Sequence, residues 1–149
     1  NSVLSGMGGR LFIELRDKKS LAYSVTSFFT PGLDYGYFGI YIGCSPSKKL
    51  ESINSINTEL EKLLNNGISE SEIENAKNSL IGKNDISLQR NAAINSRISI
   101  PYLYGLDPNE PFSFANKIRS INKAEVDFVI QKFLDKTNFV TVSVDPNWF

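Results

Sequence analysis

The stretch LFIELRDKKSLAYSV, residues 11–25, changes its hydrophobic period partway through. Leu11, Phe12 and Leu15 recur at helical spacing, whereas from Leu21 the set Leu21, Tyr23, Val25 alternates with Ala22, Ser24 and Thr26. A helix therefore hands over to a strand across a very short connection. Its helical end carries Arg16 and its strand end Tyr23.

Other elements follow from the same kind of reading. A strand from Leu21 to Phe29 meets the turn residues Pro31, Gly32 and Asp34, and a second strand runs from Tyr35 to Cys44, so the two predict a hairpin. Phe38, Ile40, Ile42 and Cys44 fall on one face of it, and Tyr35, Tyr37, Gly39, Tyr41 and Gly43 on the other. Leu50, Ile53, Ile56, Leu60, Leu63 and Leu64 then form the stripe of a helix ending at Gly67. Ser69-Glu70-Ser71-Glu72 is a capping box, with Ile68 and Ile73 as its staple, and opens a helix that continues past Leu88 and Ala92 until Pro101 stops or kinks it. Phe112 to Ile118 predicts a short helix. Asn122-Lys123-Ala124-Glu125 repeats the capping box before the stripe Val126, Val129, Ile130, Phe133, Leu134, and Phe139 to Val144 predicts a last strand. The helix ending at Arg16 is expected to start at Ser5, with a first turn weakened by Gly6, Gly8 and Gly9.

Strands grouped early and helices grouped late predict an α+β fold, an antiparallel sheet covered on one face by helices. Residues 1–149 read as a single domain, incomplete and truncated at its N-terminus, because so thin a sheet is better formed with another strand before Asn1. An uncovered strand edge would favour self-association of the fragment.

Composition excludes several functions. The 16 basic and 16 acidic residues cancel, so no basic field for nucleic acid exists. No apolar run approaches the roughly 20 residues of a membrane span, and the first residues do not resemble a signal peptide. The chain reads as soluble, with cytoplasm, periplasm and organellar matrix left open. The absence of histidine excludes the usual imidazole-bound catalytic zinc and the Ser-His and Cys-His nucleophile systems. A pair of carboxylates remains formally available, but the acids lie mostly on helical surfaces.

Two features have two readings each. Gly6, Gly8 and Gly9 are either a tightly packed turn or a phosphate-binding loop, although no strand precedes them and no Gly-Lys-Ser/Thr ending follows. The face with Tyr35, Tyr37 and Tyr41 is either a peptide- or sugar-binding surface or ordinary strand-forming tyrosine. Cys44 is most simply a buried small hydrophobe, and Arg10, Arg90, Arg97 and Arg119 are surface or structural cations.

Together, Leu4-Ser5-Gly6-Met7-Gly8-Gly9-Arg10-Leu11-Phe12, Glu14-Leu15-Arg16 and Leu21-Ala22-Tyr23-Ser24-Val25 resemble a segment in the C-terminal half of pitrilysin or insulinase-type zinc metallopeptidases. These are the inverzincins, among them the mitochondrial processing peptidase. Gly67 to Lys77, Ile121 to Val126 and Phe139 to Asp145 resemble later segments of the same domain, in the same order. The family often has Ser at Gly8 or Gly9 and Gly at Ser20, so Ser20 is expected to adopt an ordinary backbone conformation at the helix exit.

The resemblance implies a two-half peptidase closing around an unfolded peptide. The N-terminal half, in the same chain or in a partner subunit, supplies zinc through H-x-x-E-H and a further Glu. The half seen here has no metal site and contributes Arg16, for substrate binding, and Tyr23, for substrate binding and catalysis. This chain alone is thus expected to hold no zinc and to be inert, while its parent is an endopeptidase. The alternative is a non-catalytic structural or adaptor subunit that shares the fold. On the residues alone, Arg16 also reads as a solvated helix-end cation and Tyr23 as a strand-edge residue.

Overall fold

The computed structural model describes residues 1–32, 34–134 and 139–146. They form two compact units, one from residues 1–68 with the described residues from 127 onward, the other from Ser69–Val126. The architecture is α+β, as the grouping of strands and helices predicts.

In the first unit, residues 1–9 fold back as turns rather than beginning a helix. Gly6 takes φ +92°, and Gly9 lies so close to the Leu4 carbonyl that a Cβ would meet it at 2.5 Å. The expected start at Ser5 is therefore wrong. Gly6 breaks the helix, and the Ser5 hydroxyl instead pairs with that of Thr26 at 2.8 Å. The helix begins at Arg10 and is a π-helix over Phe12–Lys18, with Leu11 and Leu15 fully buried.

Strand β1, Ala22–Thr30, pairs antiparallel with β2, Tyr37–Cys44, in the predicted hairpin. Helix α1, Lys49–Asn66, packs on the π-helix and on β2 and buries Leu60 and Leu63. Gly67, at φ +66°, closes it through its N–H to the Leu63 carbonyl. Arg10 donates to the Gly67 carbonyl at 3.2 Å and Lys19 to the Ser55 hydroxyl at 2.8 Å, which ties the junction to α1 at both ends.

The expected last strand, Phe139 to Val144, is not formed: the described residues 139–145 have no ladder partner. Between them, β2 and α1 lies a cavity of about 880 Å³, lined by Ile40, Ile42, Cys44, Ser52, Ile56 and Val142. Lys49 Nζ anchors the segment to α1, donating to the Asp145 carboxylate at 2.6 Å and the Ser143 hydroxyl at 2.9 Å. Cys44 is half-buried at this cavity rather than buried. The buried Ser52 hydroxyl has no hydrogen-bond partner among the described residues.

The second unit contains α2, Glu70–Ser87, α3, Asn91–Leu103, and α4, Glu110–Ser120. The Ser69 capping box is present in both directions: the Glu72 N–H donates to the Ser69 hydroxyl and the Ser69 N–H to the Glu72 carboxylate. The Asn122 box forms likewise and opens α5, Lys123–Phe133. One long helix was expected from Ser69 to Pro101; there are two. Arg90 is extended at φ −105°, ψ 123°, and this non-helical residue separates α2 from α3. Pro101 sits inside the last turn of α3 instead of stopping it, and the helix ends at Gly105.

Candidate functional site

The helix-to-strand junction departs from regular geometry three times within twelve residues. Its first departure is the π-helix, whose closure is unusual. The Ser20 N–H reaches the Arg16 carbonyl at 3.0 Å and the Leu21 N–H the Leu15 carbonyl at 2.8 Å, each loop one residue wider than in the Schellman end of an α-helix. The second follows from it: to turn the chain, Ser20 takes φ +50°. The expected ordinary conformation there is wrong, because this wide closure needs the left-handed residue that glycine supplies most easily.

The third departure is a bulge. Ala22 pairs with Cys44 and Ser24 with Gly43, so Tyr23 faces no partner. Tyr23 therefore does not share a face with Leu21 and Val25, as strict alternation predicts. Leu21, Ala22 and Val25 are buried, and the extra residue shifts the pleat so that Tyr23 is 85% exposed beside exposed Ser24.

The bulge brings Tyr23 against Arg16. The Arg16 guanidinium carbon lies 4.9 Å from the Tyr23 ring centroid and 4.6 Å from that of Phe12, within cation–π range of both. Neither the guanidinium nor the Tyr23 hydroxyl has a hydrogen-bond partner among the described residues. The nearby acid, Glu14, is already engaged: Lys18 Nζ lies 2.6 Å from it, and that hydrogen bond holds the Glu14 carboxyl below its ordinary pKa. The donors of Arg16 and Tyr23 are free to meet an acceptor from outside.

Phe12 was not singled out in the sequence, where it counts as part of the apolar stripe with Leu11 and Leu15. Its distinguishing signal is position, four residues before an arginine. The tyrosine face of the hairpin is solvent-exposed at Tyr37 and Tyr41, with the Phe28 ring laid over Gly39 and edge-on to Tyr37 at 6.1 Å between centroids. Arg10 and Arg97 make structural contacts, to the Gly67 carbonyl and the Asn84 side chain respectively. The chain's residues do not fit a zinc site: it has no histidine, and no three His, Cys, Asp or Glu gather among the described residues.

Residues 2–80, just over half the chain, match the family described as the peptidase M16 inactive domain. The chain belongs to that family. An uncharacterized zinc protease of Streptomyces coelicolor is 38% identical over 93 residues, covering 62% of this chain and 20% of the relative. One of Bacillus subtilis is 36% identical over 100 residues, 66% of this chain and 24% of the relative. The chain thus spans about a fifth to a quarter of the length of these relatives. The solved M16 inactive domain from Pseudomonas fluorescens superimposes with a TM-score of 0.79 at 27% identity, over 89% of this chain and 32% of that one. A protease from Helicobacter pylori shares the fold, with a TM-score of 0.72 at 19% identity over 91% and 33% of the two chains. The M16 inactive domain is therefore the part of a zinc-protease family represented here, and among its described residues no helix is long and apolar enough to cross a membrane.

Proposed function

We propose that this M16 inactive domain completes the peptide-binding chamber of a zinc metalloendopeptidase and presents Arg16 and Tyr23 to the active site. The reading is supported by one arrangement above all: a bulge exposes Tyr23 and sets its ring against a guanidinium whose N–H groups have no partner among the described residues. A zinc held by the other half of the enzyme would supply the activation of the attacking water. On this side, the Tyr23 hydroxyl donates to the substrate oxygen that becomes negative as water adds, an interaction strongest in the transition state. Arg16 holds a backbone carbonyl of the unfolded peptide through its planar N–H fork.

The test uses the longer protein that carries both halves. Tyr23→Phe keeps the ring and removes the donor, so turnover should fall on the order of 10²-fold, about 2.7 kcal/mol, with little change in KM. Arg16→Lys keeps charge but not the fork and should raise KM. If both variants fold normally and cleave a peptide at the parental rate, the assignment is wrong. If the parental protein, loaded with zinc, cleaves no peptide at all, the chain serves a structural or adaptor subunit instead.

A further inference from the structure

Phe12 carries the next step, and it rests on the reading of Arg16 just given. Leu11 and Leu15 are fully buried, but Phe12 is only half-buried, and its ring faces the Arg16 guanidinium at 4.6 Å. An arginine side chain is long and rotamer-rich, and it is usually fixed by a carboxylate that consumes its N–H donors. Here the acid two residues earlier, Glu14, is spent on Lys18. The contacts that restrain the Arg16 guanidinium are its ring faces, and those leave the donors at its edge unspent. Of the two rings, Tyr23 is 85% exposed on a bulge, whereas Phe12 is set in the helix one turn before Arg16.

We propose that Phe12 is a positioning residue: its ring fixes the Arg16 guanidinium beside Tyr23 with the N–H edge turned to the substrate. It touches no reacting atom. Its effect is therefore on substrate binding through Arg16, and it depends on an aromatic face rather than on apolar volume.

In the longer enzyme, Phe12→Leu should raise KM about 2- to 5-fold with kcat little changed, the size expected for loss of one exposed cation–π contact. Phe12→Trp should recover most of that loss, because it restores a ring face. In an Arg16→Gln background, Phe12→Leu should add no further loss, since the two act as one unit. Should Phe12→Leu fail to fold, Phe12→Met keeps volume and flexibility and reads the same loss of a ring. The inference is overturned if Phe12→Leu and Phe12→Met keep the parental KM, if Phe12→Trp behaves no better than Phe12→Leu, or if the losses from Phe12 and Arg16 simply add. Parental activity in Arg16→Lys would overturn the site itself. Impaired Arg16→Lys with parental Phe12→Leu overturns only the role of Phe12.

Discussion

Two helix ends in this molecule solve the same problem differently. At the end of α3, Gly105 takes φ +71°, its N–H reaches the Tyr102 carbonyl at 3.0 Å, and the Leu106 N–H reaches the Pro101 carbonyl at 2.9 Å, the ordinary Schellman pattern. At the end of the π-helix, the left-handed residue is Ser20, both loops are one residue wider, and a bulge follows within three residues. The first end uses glycine and standard spacing, with Tyr102, Leu103 and Tyr104 exposed around it. The second holds a non-glycine in a costly conformation, and its Arg16 and Tyr23 have no hydrogen-bond partner among the described residues. Departure from regular geometry thus collects at the junction, while the Ser69–Val126 unit opens α2 with a capping box and closes α3 with a Schellman pattern.

This contrast can be broken or sharpened experimentally. The largest effect should be the roughly 10²-fold loss of turnover in Tyr23→Phe, with an unfolding midpoint close to that of the parent. The opposite profile is expected in the helical unit. There the buried Asn84 accepts from Arg97, donates to Asp85 at 3.2 Å and has no part in the site. Asn84→Ala should cost about 1–3 kcal/mol in denaturant unfolding and leave peptide cleavage by the longer enzyme unchanged. A loss of activity without loss of stability there would erase the distinction between the two regions.

A smaller effect, of opposite sign, is expected at Ser20. Ser20→Gly removes the left-handed penalty and adds unfolded-chain entropy, leaving a net gain of roughly 0.5 kcal/mol. A lower midpoint in urea would show that the wide closure is not strained. The smallest effect concerns pH. The hydrogen bond from Lys49 holds the Asp145 carboxyl below its ordinary pKa. What this pair contributes is complete above the unfolded carboxyl's value, about pH 4, and is lost as pH falls through the lower folded value. An NMR titration should give an Asp145 midpoint that rises in Lys49→Gln, and an unmoved midpoint would show the pair to be idle.

What the sequence made legible follows the same division. Ser69 with Glu72, Asn122 with Glu125 and the glycine at 67 are local devices whose partners lie within four residues, so the residue types alone announce them. Tyr23 and Ser20 were misplaced for one reason: both sit where the chain gains a residue relative to a regular element, and a periodicity argument assumes that none is gained. The buried pair Leu21-Ala22 followed by the exposed pair Tyr23-Ser24 is the trace of that extra residue, visible only once burial is known. The segment 139–145 has the alternation of a strand, but alternation does not supply a ladder neighbour, and a cavity separates it from β2. Arg16 and Tyr23 were legible as candidates from the family resemblance, whereas the Phe12 contact depends on which way a guanidinium turns.

The bulge at Tyr23 also works as a phase adjuster between two incommensurate repeats. The π-helix sets the direction of Arg16 by its own rotation per residue, and the hairpin sets Ser24 and Val25 by a strict two-residue alternation locked to β2. One unpaired residue between them lets each keep its phase while Tyr23 absorbs the mismatch. Length changes should therefore be tolerated very unevenly along this chain. Adding or removing one residue between Arg16 and Ser24 would swing the arginine away from the ring or turn the strand's buried side outward. The same change in the turn between β1 and β2 would alter only a loop.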